Sequence, residues 1–305
     1  MKRNFLALSL GIGVTVLLLN FPTLNGAKRG QPANVSSSNL EISDVPNVKL
    51  EAKSAYVFGV SENKPIFSLN ENLQLPLASL TKIMTALVAE EDIPSYALIS
   101  VSKNAIAQEG NNGLMIDERW PLLDLIDVML ISSSNDAAYA LAEEGGRVSE
   151  FVKKEVAPPS LEVRPPDLTS RFVSLMNQKA AELGLTQTYF FNPTGLDISE
   201  SQSGAYGSAK DMADLFLYIL KEKASLFEIT RYSTLKIDSR EFKNTNIISN
   251  EIPRVIFSKT GFSDLAGGNL AMVVDRGFEN YVIIVVMGST EQGRFEDVKK
   301  LYQTL

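Results

Sequence analysis

The stretch "LPLASLTKIMTALVAEED", Leu75 to Asp92, places Ser79 and Lys82 three residues apart where an apolar pattern of helical period begins. One reading is a helix start with Ser79 as the cap, a common task for serine. A capping box, however, wants Glu or Gln at the third helical position, where this chain has Lys82. An ammonium in the first turn faces the positive end of the helix dipole, and Leu75, Leu77, Ile83 and Met84 would desolvate it. Both effects favour the neutral amine. Positions i and i+3 share a helix face, so a neutral Lys82 could take the proton of the Ser79 hydroxyl.

Composition narrows the chemistry. The 305 residues are 45% hydrophobic and 21% charged, enough apolar material for one large domain. There is no cysteine and no histidine. Thiol nucleophiles, Cys/His zinc sites and a Ser-His-Asp triad are thereby excluded, and no metal or other cofactor is expected. A net charge of −7 without a Lys/Arg block argues against nucleic acid as a partner.

The N-terminus carries an address. Lys2 and Arg3 precede an uncharged, mostly apolar run from Phe5 to Leu19, so residues 1–27 read as a cleaved signal peptide or an N-terminal membrane anchor. Either way the rest of the chain is expected outside the cytoplasm. Residues 28–46, rich in Ser, Asn and Pro, read as a linker, and 47–305 as the folded domain.

Within that domain, "SAYVFGV" and "PIFSL" predict a hairpin, as do "GGNLAMVV" and "YVIIVVMGS" near the C-terminus. Helices are predicted over "PLLDLIDVMLI", over "DAAYALAEE" with a stop at Gly145 and Gly146, over "SRFVSLMNQKAAELGL", over "SAKDMADLFLYILKEKASL" and over "EQGRFEDVKKLYQ". Strands at both ends suggest one sheet assembled from the two ends of the domain, with a helical lobe between.

Three short motifs recur cheaply when taken singly. Ser-x-x-Lys occurs at Ser61/Lys64, Ser79/Lys82, Ser100/Lys103 and Ser233/Lys236. Ser-x-Asn occurs several times too, but only Ser133 and Asn135 fall in a break between two helical patterns. There they could simply cap helices, or Ser133 could relay a proton while Asn135 holds a substrate carbonyl or the lysine. Lys259-Thr260-Gly261 is the sole such tripeptide and follows apolar, strand-like residues. It reads either as a strand ending with a snorkelling lysine, or as an edge strand that pairs with an extended peptide while Lys259 and Thr260 grip a carboxylate and Gly261 leaves room.

Together and in this order, the three motifs match the set found in penicillin-binding proteins and class A β-lactamases. With "LMNQKAAELGLTQTYFFNPTGLD" and "SAKDMADL", residues 50 to 305 resemble the low-molecular-mass D-alanyl-D-alanine carboxypeptidases, serine peptidase family S11. The resemblance implies an α/β (α+β) fold: a five-stranded antiparallel sheet flanked by helices, an all-helical lobe, and a cleft between them. It implies Ser79 as the acylated nucleophile, Lys82 as its base and Ser133 as a further catalytic group. Asn135, Lys259, Thr260, Gly261 and Phe262 would bind substrate, with the backbone N–H groups of Ser79 and Phe262 as oxyanion hole.

The implied substrate is the peptidoglycan stem peptide, and β-lactams are implied ligands. A D,D-endopeptidase, a β-lactamase-like enzyme and a non-catalytic wall-binding protein are the alternatives. No counterpart to the class A glutamate is found. Three departures stand out. Many relatives have His where this chain has Phe262 and Thr194; the Pro-rich segment 153–170 is longer than expected; and the chain ends soon after its last helix, without the C-terminal β-domain and amphipathic helix of many members, which brings the anchor reading of the N-terminus level with cleavage.

Overall fold

A computed structural model describes residues 48–110, 113–154 and 167–305, the side chains of 150–154 excepted. The signal or anchor segment, the linker and most of the Pro-rich segment lie outside the described residues. Those described fall within one compact unit, Ser43–Leu305.

The sheet contains β1 (Ser54–Gly59), β2 (Lys64–Leu69), β3 (Val255–Ser263), β4 (Gly267–Asp275) and β5 (Tyr281–Ser289), in the order β3-β4-β5-β1-β2. Every neighbouring pair is antiparallel, and the join between the two ends of the domain is β1 against β5, with Ser54 opposite Met287 and Gly59 opposite Val282. β4 and β5 are apolar almost without interruption because both faces of the sheet are covered. Side chains alternate between the faces. Ala55, Val57, Leu270, Met272, Ile284 and Val286 meet Phe295, Val298 and Leu301 of the last helix, α6 (Gly293–Gln303). Tyr56, Ala271, Val273, Ile283, Val285 and Met287 join the core of the helical lobe.

That lobe is built on α1 (Thr81–Asp92), in which every residue from Thr81 to Ala89 is buried. A helix apolar all round must be enclosed, and α2 (Leu122–Ser132), α3 (Asn135–Lys154) and α4 (Leu168–Glu182) enclose it. The predicted stop at Gly145 and Gly146 is overturned, since α3 runs straight through both. A methyl on Gly145 would overlap the Phe172 ring, and one on Gly146 the Leu168 carbonyl. The glycines let α4 cross at close range and do not end the helix.

α5 (Ala209–Glu222) is capped by Ser208, whose Oγ accepts from the Asp211 N–H at 3.0 Å. It ends sooner than its apolar pattern suggested: the chain breaks at Lys223 and resumes as a single turn, Ala224–Phe227. Among the described residues no helix is long and apolar enough to cross a membrane.

Candidate active site

Ser79 lies in a 3-10 turn, Ala78–Leu80, that leads into α1, and its side chain makes no capping bond. The cap reading of Ser79 therefore fails. Ala78 adopts a left-handed φ of 46°, unusual for a residue with a Cβ. The turn is held in that shape from three sides. A methyl on Gly195 would overlap the Ala78 carbonyl, and one on Gly261 would sit 3.2 Å from the Ser79 nitrogen and 2.9 Å from the Leu77 oxygen. From a third side Asn269 Nδ2 donates to the Pro76 and Leu77 carbonyls, each at 3.0 Å. Gly261 had been expected to leave room for a ligand. The room it leaves is filled by the serine's own turn.

Lys82 follows on the first turn of α1 and is fully buried. Its Nζ stands 2.9 Å from Ser79 Oγ, 2.7 Å from Asn135 Oδ1 and 2.6 Å from the Thr194 carbonyl. Burial holds its ammonium well below the usual lysine range, and the Lys259 charge pushes the same way. A neutral amine has two N–H bonds and one lone pair. The oxygens of Asn135 and Thr194 only accept, so they take both N–H groups. The lone pair is left facing the Ser79 hydroxyl.

The break that carries the second motif is a left-handed residue, Ser133 at φ 61°, between α2 and α3. Ser134 does the capping there, its Oγ accepting from the Ala137 N–H at 3.0 Å. Ser133 is thereby free to meet Lys259 on the sheet, and Asn135 to meet Lys82 on α1. Asn135 uses both ends of its amide, taking Lys82 on Oδ1 and donating from Nδ2 to the Glu109 carbonyl at 2.7 Å. It holds the lysine, and its second N–H remains for a ligand.

Lys259 lies on β3 and is only 1% exposed, so it does not snorkel. Its Nζ donates to Ser133 Oγ at 2.8 Å and to the Thr260 carbonyl at 3.0 Å. Burial lowers it to about 7, with the Arg294 charge adding to the effect. Thr260 Oγ1 meets Thr245 Oγ1 at 2.6 Å. β3 is an edge strand, and its Ser258 N–H turns away from the sheet to the Thr230 hydroxyl at 2.9 Å. By the two-residue period, the N–H and C=O of Thr260 and Phe262 face the same open side. The Phe262 ring is exposed and has the Arg294 guanidinium 5.8 Å from its centroid.

All eight residues singled out in the sequence thus lie on three neighbouring segments: the turn before α1 with the helix's first turn, the α2–α3 break, and β3. The other Ser-x-x-Lys pairs have no such bond: Ser100 and Lys236, for example, lie on short exposed strands. Sequence reading missed the Thr194 carbonyl, Thr245 and Arg294. Thr194 is positioned by Asn192, whose Oδ1 accepts from the Thr194 N–H, the Thr194 hydroxyl and the Gly195 N–H. Arg294 donates to the Gly261 carbonyl at 3.0 Å. Among the described residues no cluster of acidic side chains could hold a metal ion.

Residues 41–156 and 168–291 match the peptidase S11 family model, described as D-alanyl-D-alanine carboxypeptidase. The D-alanyl-D-alanine carboxypeptidase DacF of Bacillus subtilis is 31% identical over 82% of this chain, which spans 61% of that relative's length. A D-alanyl-D-alanine endopeptidase of Pseudomonas aeruginosa is 27% identical over 84% of this chain and 78% of its own. Penicillin-binding protein D2 of Listeria monocytogenes, solved in a cefotaxime-bound form, superimposes with a TM-score of 0.67 at 26% identity, covering 85% of this chain and 99% of that one.

Proposed function

Because the chain belongs to the D-alanyl-D-alanine carboxypeptidase family of serine peptidases, we propose that it removes the terminal D-alanine from peptidoglycan stem peptides through an acyl-enzyme on Ser79. The observation that carries this reading is the buried Lys82 amine, 2.9 Å from the Ser79 hydroxyl and within hydrogen-bond distance of the Asn135 and Thr194 carbonyl oxygens.

In this mechanism Ser79 Oγ attacks the carbonyl carbon of the penultimate D-alanine while its proton passes to Lys82 Nζ. The oxyanion lies between the N–H groups of Ser79 and Phe262. Collapse breaks the C–N bond, and the departing amine takes a proton delivered from Lys82 through the cleft, with Ser133 as the relay. Water then hydrolyses the ester. The substrate's terminal carboxylate rests on the charged form of Lys259 and on Thr260, and its backbone pairs with the open edge of β3. A β-lactam, presenting a similar carbonyl and carboxylate, would acylate the same serine.

The same machinery opens crosslinks if the substrate carries a longer chain beyond the scissile bond, and the resemblance to a D-alanyl-D-alanine endopeptidase supports that second reading. We assign residues 1–27 to export or anchoring, 28–46 to a linker and 47–305 to the peptidase domain, which would work outside the cytoplasmic membrane. Incubation with purified muropeptides, read by mass spectrometry, tests the proposal. The expected outcome is loss of one alanine from pentapeptide stems, abolished in Ser79→Ala together with labelling by a fluorescent penicillin. Cleavage of dimers with intact pentapeptides would favour the endopeptidase, and no change in either would sink both.

A further inference from the structure

Beside the catalytic cluster, on the helical-lobe side, lies a cavity of about 230 Å³ between the 191–197 turn and helices α3 and α4. Its walls include Val173, Leu196, Phe191 and the ring of Tyr139, with Gln108 and Asp197 among its polar groups, and no cationic side chain lines it. The cavity adjoins the site directly. Thr194, whose carbonyl holds Lys82, forms part of its wall, and Gln108 precedes Glu109, whose carbonyl holds Asn135.

Asp197 is the only charged group in that lining. Its Oδ2 accepts from the Leu265 N–H at 3.2 Å, which ties it to the turn just beyond β3. Its Oδ1 is buried without a hydrogen-bond partner. A buried carboxylate oxygen left unpaired is costly, and a donor supplied by a ligand would relieve it.

Direction along β3 connects this carboxylate to a substrate. Taking the reading proposed above, the carboxylate of the ligand sits at Lys259 and Thr260 and its scissile carbonyl at the Phe262 N–H. Its earlier residues must then run antiparallel to β3, past Ser263 toward Leu265, at about 3.3 Å per residue. The residue preceding the two D-alanines is thereby directed toward the turn after β3, where Asp197 holds the Leu265 N–H.

We propose that this cavity is a specificity subsite for the amine-bearing side chain of the residue that precedes D-alanyl-D-alanine, with Asp197 receiving the ammonium. The apolar walls take the methylene stem and the carboxylate takes the head, as for any long cationic side chain. This inference rests on the peptidase reading of Ser79, and its test separates the two.

Release of D-alanine is measured on two peptides ending in D-alanyl-D-alanine, one with a free lysine side chain before the alanines and one with that amine acetylated. In the wild-type protein acetylation is expected to lower kcat/KM by about fivefold to tenfold, the scale of a partly exposed charge-assisted contact. In Asp197→Asn, which keeps an acceptor for the Leu265 N–H, the two peptides should be cleaved with nearly equal kcat/KM. Equal turnover of both by the wild type overturns the subsite, and an undiminished preference in Asp197→Asn removes Asp197 from it. Labelling of the wild type by fluorescent penicillin is run alongside. If that label fails, the peptidase reading itself falls; if it succeeds while the amine makes no difference, the subsite alone falls.

Discussion

Lys82 and Lys259 are both buried amines, yet the proposed chemistry asks opposite things of them. Lys82 must be neutral to accept a proton, and its depressed affinity for protons keeps it so down to a pH well below the usual lysine range. Lys259 must be charged to attract a carboxylate, and it loses that charge as pH rises through about 7. The pH profile of kcat/KM, which reports the free enzyme, should therefore fall on the acid side as Lys82 is protonated and on the alkaline side near 7 as Lys259 is deprotonated. Amidating the substrate's carboxylate should remove the alkaline limb and lower kcat/KM by roughly 1.5 to 3 kcal/mol of lost binding. Lys82→Arg, which cannot release its proton near neutrality, should stay folded and lose acylation. A variant reacting near the wild-type rate would take the base role away from Lys82. Lys82 was legible in the sequence because it conflicts with its local position at a helix start. The Thr194 carbonyl that orients it was not, since a backbone oxygen leaves no trace in residue type. Arg294 was equally silent, a surface-like arginine in a helical pattern whose closeness to Gly261 is created only by the packing of α6 on the sheet.

Among elements, the helix containing Gly145 and Gly146 shows how local propensity gives way to packing. Two adjacent glycines normally announce a helix end. Here the crossing of α4 requires the missing side chains, because Phe172 and the Leu168 carbonyl occupy their space. Gly146→Ala should gain about 1 kcal/mol of helix propensity and still destabilise the protein by a net of about 1 to 3 kcal/mol, as backbone cannot give way like a flexible side chain. Urea denaturation would measure it, and a stabilised variant would mean that α4 shifts freely. The hairpins and the buried helix α1 were readable because period and apolar runs survive any partner. The break in α5 at Lys223 was not, since its pattern continues through the break and only the turn to Ala224–Phe227 decides where the helix stops. The edge position of β3 had no signature beyond its motif.

In the whole molecule, the central pairing of the sheet joins its first strand to its last. Ser54 to Gly59 pair with the neighbouring hairpin strand on one side and with Val282 to Met287 on the other, and Asp297 of α6 ties down the start of the domain by accepting from the Glu51 and Ala52 N–H groups. Pairings so distant along the chain close late and slowly. Cutting the chain after Thr290 removes Asp297 and the apolar side of α6, and should leave helical far-ultraviolet dichroism without a cooperative thermal transition. A cooperative melt in that truncated chain would show that the sheet closes without its final helix. The order of synthesis gives this topology a further meaning. While translation is still far from Tyr281, the β1–β2 hairpin has one side with nothing to pair with, so the domain cannot lock into its finished fold until nearly the whole chain has been made.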